Sequence, residues 1–250
     1  MTLAARTIAA ALLFQAATAR DPRPLPDPKP FFDSVRSNLA RSQDEQKQFA
    51  YKERRTDLDL NPFGHVGTGG TRVIEVTPIA GGTAVMRQLL ERDGQPVANS
   101  TPVRRELRMT AQGRFVVDDV TAMLDVTIDR RDRLDGRDAI VVTFKPRKDA
   151  NPRTREGKIV RDFAGEIWID EQAREVAMVD ATAIDDLSFG YGVLGWLNEG
   201  ATVTVRRLPI DANLWLPVSV RFNGEGRALL FRKLTINFAL DWFDYRKARL

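Results

Sequence analysis

The longest alternation of apolar and polar positions lies near the C-terminus, between Leu214 and Tyr245. Leu216, Val218, Val220 and Phe222 alternate with Pro217, Ser219 and Arg221. Beyond Asn223, Gly224 and Gly226, the residues Leu234, Ile236, Phe238, Leu240 and Trp242 share one parity against Thr235, Asn237, Ala239 and Asp241. Successive strand side chains point to opposite faces, so this predicts two long antiparallel strands, joined at Asn223–Gly226, with one apolar and one polar face. The apolar face must be buried, and the rest of the chain is expected to supply further sheet and covering helices.

Upstream, Phe32, Val35 and Leu39 have helical spacing and predict an amphipathic helix that fades into the polar stretch Ser42–Gln48. Strands are predicted from Phe49 to about Leu60, Val73–Thr77, Ala84–Glu91, Ala139–Lys145, Gly165–Asp170, Glu175–Ile184 and Thr202–Arg206. Thr101-Pro102 reads as a cap and first-turn pair opening a polar helix to about Thr110, and Val116, Val120, Met123 and Leu124 suggest a second short one. Leu187–Gly200, with Phe189, Leu194, Trp196 and Leu197 among glycines, reads as a short apolar helical turn between strands. The order predicts an α+β fold: a strongly curved antiparallel sheet with a few helices, in one domain spanning 31–250.

The first residues set the compartment. Arg6, the apolar run 8–14 and Ala17-Thr18-Ala19 follow the order of a secretory signal peptide, 1–19, and the run is too short to span a bilayer. A lead at 20–30 follows, with proline at every second position from Pro22 to Pro30. The chain has no cysteine, which excludes disulfides, thiol catalysis and the cysteine of a lipoprotein anchor. The expected mature protein is periplasmic, not lipid-anchored and without a transmembrane segment. A net charge of +4, with basic residues scattered among acidic ones, gives no case for nucleic acid.

Candidate chemistry is thin. His65 is the only histidine, in a glycine-rich loop, and a single imidazole makes neither a multi-histidine metal site nor a triad without its partners. Gly190, Gly192 and Gly195 spell a dinucleotide-type pattern without room for its crossover helix. Asp57, Asp59 and Asn61 start like a calcium loop, but Pro62 and Thr68 stand where it needs glycine and glutamate. Asp118-Asp119 and Asp185-Asp186 read as turn or helix-start residues. No enzyme, metal or cofactor is expected. What stands out is aromatic bulk: Trp168, Trp215, Phe238 and Trp242 on strands, with Phe189 and Trp196 between them. Two readings are open, plain core or the lining of a cavity for an apolar ligand with the short helix as its lid.

Three runs carry a resemblance: Gly165-Glu166-Ile167-Trp168-Ile169-Asp170, Tyr51-Lys52-Glu53-Arg54-Arg55, and Leu230-Phe231-Arg232 through Asp244-Tyr245-Arg246. The chain resembles exported bacterial outer-membrane lipoprotein-sorting proteins, the group that includes the periplasmic lipoprotein carrier, its outer-membrane receptor and the sigma-factor regulator of envelope stress. The resemblance implies an incomplete β-barrel plugged by helices and a non-covalent activity: holding lipid or lipoprotein acyl chains in an apolar hollow, without cofactor. On that basis Trp168, Trp215 and Phe238 are expected to line the hollow, and Phe189, Leu194, Trp196 and Leu197 to form its lid. The alternative is an envelope regulatory or scaffold module that binds a protein partner.

Overall fold

The computed structural model describes residues 23–57, 70–79, 83–106, 113–189, 195–212, 214–228 and 232–248. The signal segment, His65 with its glycine loop, Asp59, Asn61, and 190–194 with Leu194 lie outside them. Helix α1 (Pro28–Gln46) is followed by β1 (Phe49–Asp57), β2 (Gly70–Pro78), β3 (Ala84–Arg92), β4 (Gln95–Pro96) and β5 (Val103–Glu106). Next come α2 (Gly113–Ala122), β6 (Leu124–Leu134), β7 (Arg137–Pro146), α3 (Arg155–Val160), β8 (Phe163–Asp170) and β9 (Glu175–Ala183). The short β10 (Leu187–Phe189) and β11 (Gly195–Leu197) precede three long strands, β12 (Thr202–Asp211), β13 (Leu214–Ala228) and β14 (Arg232–Lys247).

These strands form one 14-stranded sheet in the order β4-β3-β2-β1-β14-β13-β12-β9-β8-β7-β6, with β5 on β3 and β11 on β13. Every pairing among the described residues is antiparallel, and no pairing among them joins β6 to the β4 end. The sheet is an incomplete barrel, and three helices lie against its concave side. The register Val220↔Leu240 and Phe222↔Phe238 puts the apolar parities of β13 and β14 on one face.

Local chemistry explains where the elements differ from the sequence pattern. Asp27 caps α1 by accepting from the Lys29 amide at 3.2 Å, and Pro28 and Pro30 sit in the first turn, where no intrahelical donor is needed. The lead therefore turns helical two prolines early. The helix does not fade at Ser42: the Ser42 hydroxyl donates to Glu175 Oε1 at 2.8 Å, which satisfies a buried polar residue on the helix's inner face. Val103–Glu106 is a strand rather than helix, since the edge of β3 supplies its backbone with partners, from Ala84↔Glu106 to Arg87↔Val103. Asn223, Gly224 and Gly226 are not a turn but lie within β13, opposite Asn237, Ile236 and Leu234 of β14. Their missing or small side chains ended the apolar alternation without ending the strand.

Strand β6 has no apolar alternation because it is a terminal strand with mostly exposed, charged side chains, a common protection of a sheet edge. Its signal was the turn: Asp135-Gly136, like Asp93-Gly94, takes positive φ at both positions, the geometry of a tight hairpin. Leu187–Leu197 holds a strand pair, not a helical turn: Leu187↔Leu197 and Phe189↔Gly195 pair across it, and Trp196 pairs onward to Arg227. The unpaired edge of β13 beyond β12 supplies the hydrogen bonds that a helix would have made internally.

Helices α2 and α3 are joined by one buried carboxylate. Asp119 accepts from the Thr154 hydroxyl (2.6 Å), the Thr154 amide (2.8 Å) and the Arg153 amide (3.1 Å), while Thr154 Oγ caps α3 by accepting from the Gly157 amide. A Cβ at Gly157 would stand 2.3 Å from Asp119 Oδ2, so only glycine fits there. Burial pushes the Asp119 carboxyl up, but the bonds from Thr154 and Arg153 outweigh it and hold it below its ordinary value of 3.8. Asp119→Ala strands these donors and should cost about 2–4 kcal/mol in urea unfolding. Because the folded value is depressed, this contribution is full above pH 3.8 and fades as pH falls through the folded value. The wild-type–variant difference should thus be flat from neutral pH to 3.8 and shrink below it.

Candidate functional site: an apolar hollow under three helices

Between the helices and the sheet lies an open hollow of about 1490 Å³. Alternation builds its floor. Ile167 and Ile169 on β8, Val203 and Val205 on β12, Val220 and Phe222 on β13, and Phe238, Leu240 and Trp242 on β14 all face it. The roof comes from Phe32, Val35 and Leu39 on α1, Val120 and Ala122 on α2, and Ile159 and Val160 on α3. Where α1 packs closely, Phe31 and Val35 close a dry cluster with Ile140, Val142 and Ile169. Elsewhere, Val179, Val203, Val205, Val220 and Leu240 stay only half-buried because the space in front of them is unfilled.

Polar groups are confined to the rim and one corner. Asp33 joins Lys29 and Arg36 at 2.8 Å each along α1, and Arg147 meets Asp125 at 2.9 Å. Bonds from Lys29 and then Arg36 lower the Asp33 value, whereas burial raises that of Asp162 on the opposite rim. In the corner, Arg207 Nη1 donates to Glu175 Oε2 (3.0 Å) and to the Val176 carbonyl (3.0 Å), and Nη2 donates to the Trp215 carbonyl (2.7 Å). Burial pulls the Arg207 value down and Glu175 opposes it. Glu175 also accepts from Ser42, so this corner binds α1 to β9, β12 and β13.

The expected lining residues part company here. Phe238 is buried on the hollow's wall, opposite Phe222, with the Arg55 guanidinium 5.1 Å above its ring. Trp168 lies between Ile167 and Ile169 and so takes the other face of β8, opposite Val141 and Met178. Trp215 is buried beside a separate cavity of about 30 Å³, with Arg137 stacked on its ring at 5.5 Å. Phe189, Trp196 and Leu197 belong to β10 and β11; their side chains, and Leu194 as a whole, lie outside the described part of the protein. Leu240, Trp242, Val220 and Phe222, which the sequence pattern placed on the apolar parity but not among the lining residues, share Phe238's face of the hollow, so strand parity was the signal for them.

The carboxylate pairs serve backbone. Asp118 is exposed, its neighbour Asp119 joins the helices, and Asp186 accepts from the Glu199 amide at 2.8 Å. Among the described residues no group of three or more metal-ligating side chains converges, and no helix is long and apolar enough to cross a membrane.

Fold and site together define an open, curved sheet roofed by helices over an unfilled apolar hollow. No protein-family model and no curated protein matches the sequence. Among solved structures the chain is similar to a LolA superfamily protein from Nitrosomonas europaea, at 15% identity over 86% of this chain and 94% of that one, TM-score 0.35. It is also similar to a putative outer membrane lipoprotein-sorting protein domain from Vibrio parahaemolyticus, at 8% identity over 84% and 92%, TM-score 0.34. A chain of the Pseudomonas aeruginosa MucA/MucB complex is similar at 10% identity over 88% and 100%, TM-score 0.27. These names fall in the group that the sequence resembles. At such TM-scores the likeness assigns no function.

A true hollow predicts an asymmetry between two enlargements. Val220→Phe projects into free space and should leave the Tm unchanged, whereas Ile140→Phe, in the dry cluster under α1, should lose about 1–3 kcal/mol by overpacking. Equal losses in thermal melts would mean that the hollow is filled.

Proposed function

We propose that this protein is an exported, periplasmic, non-catalytic binding protein that holds lipid or the acyl chains of lipoproteins in the hollow. The observation that carries the reading is the unfilled apolar space between sheet and helices, larger than the ~300–1,000 Å³ of typical small-molecule pockets. Each methylene moved from water into such a space gains about 0.8 kcal/mol, so an acyl chain is the ligand it rewards most. Val203, Val205, Val220, Leu240 and Phe238 offer aliphatic and aromatic contact without fixed polar groups, which suits a chain that must be released again. Trp196 and Leu197, on the hairpin that follows the rim residues Asp185 and Asp186, are proposed as further contacts in place of a helical lid.

Native mass spectrometry of the protein, exported in a bacterium and purified without detergent, tests this directly. The expected mass is that of Arg20–Leu250 plus stoichiometric phospholipid or acylated peptide. The pair Val205→Phe and Val220→Phe should then reduce the bound fraction while circular dichroism stays native. A ligand-free mass with no uptake of an added fluorescent fatty acid would overturn the reading, and a single stable protein partner in its place would favour the envelope-module alternative.

A further inference from the structure

The concave face continues beyond the hollow, from β14 onto β1, β2 and β3, and directly opposed residues of neighbouring strands share a face. Leu240, on the hollow's wall, stands opposite Arg55; Arg55 stands opposite Arg72, and Arg72 opposite Arg92. The Arg55 guanidinium over the Phe238 ring places this arginine on the hollow's side of the sheet. Three arginines thus stand in a row on three adjacent strands, whose backbones lie about 4.8 Å apart, starting at the hollow's edge.

Like charges directly opposite one another destabilise a sheet. On the outer face Lys52 pairs with Asp244, Arg246 with Glu75 and, on neighbouring β13, Arg221 with Asp241, while Arg54 lies over the Phe243 ring. The outer two arginines of the inner row differ. Among the described residues, neither Arg72 nor Arg92 makes an ion pair, and Arg92 is exposed. Of the described carboxylates beside them, Glu53 accepts from Arg87 at 2.8 Å, Asp93 accepts from the Thr71 amide at 2.8 Å, and Glu91 stands opposite Val73, on the other parity. A row of planar guanidinium forks suits the oxygens of a phosphate, which each fork binds in bidentate fashion.

We infer that Arg72 and Arg92, the two outer arginines of the row, hold the phosphate of an anionic lipid whose acyl chains occupy the hollow. The inference rests on the acyl-binding reading and narrows its ligand to phosphate-bearing lipids. The test titrates the full exported chain and its Arg72→Gln/Arg92→Gln variant with dioctanoyl phosphatidylglycerol, dioctanoylglycerol and inorganic phosphate, by calorimetry at low salt. Wild type should bind the phospholipid about tenfold or more tightly than the neutral diacylglycerol, and the variant should lose that preference while its diacylglycerol affinity is unchanged.

Equal phospholipid affinity in both proteins would overturn the inference, as would a lower Tm of the ligand-free variant, which would give the row a structural role. Inorganic phosphate binding as tightly as the phospholipid would also overturn it, by making the row a free-phosphate site. If neither lipid binds, the acyl-binding reading fails and this inference with it, whereas binding of both lipids with equal affinity overturns the inference and leaves that reading standing.

Discussion

The structure depends on a buried ion pair at one corner of the sheet. Arg207 and Glu175 are both shielded from water, and their further hydrogen bonds reach other elements: the carbonyls of Val176 and Trp215 accept from the guanidinium, and Ser42 (2.8 Å) and Arg41 (3.5 Å) of α1 donate to the carboxylate. A buried pair of this kind gains little over a well-packed apolar pair, but removing one partner costs several kcal/mol because the other is left charged and unpaired. Its role is therefore positional. It sets α1 at one height above the sheet, so that Phe31 and Val35 pack against Ile140 and Ile169 at one end and the space beneath the other helices stays open.

An open apolar space costs the protein contacts that a filled core would provide. It persists because the walls belong to strands whose positions are fixed by their neighbours and the roof belongs to helices held from the side. Asp119 binds α2 to α3, and the corner pair binds α1 to the sheet, so collapse into the hollow would break charged hydrogen bonds that are themselves buried. The rigid corner and the soft interior are two consequences of one arrangement. A site built this way selects by shape and apolarity, and its specificity has to come from outside the hollow, where the concave face turns from valines to arginines.

The sequence by itself determined the strands whose two faces differ in polarity. Leu234–Trp242 and Val218–Phe222 announced themselves because one face is buried and the other wet, and the α1 stripe of Phe32, Val35 and Leu39 did so for the same reason. Zero cysteine and the lone histidine likewise limit the chemistry through composition alone. Strand β6 was hidden because a terminal strand has no buried face to mark it, leaving only Asp135-Gly136 as a sign. The β10–β11 pair was hidden because its hydrogen bonds go to β13, well downstream in the chain.

Only the tertiary structure decided which apolar residues are core and which are wall. Trp168, Trp215 and Phe238 look alike in one dimension. In three, Trp168 falls on the opposite parity from Ile167 and Ile169, Trp215 packs under Arg137 beside the corner pair, and Phe238 faces the hollow. The arginine row was equally invisible, since Arg55, Arg72 and Arg92 are brought together by strand register alone. Alternation tells that a face exists. What stands in front of that face depends on partners far away in the chain, and a local pattern holds no information about them.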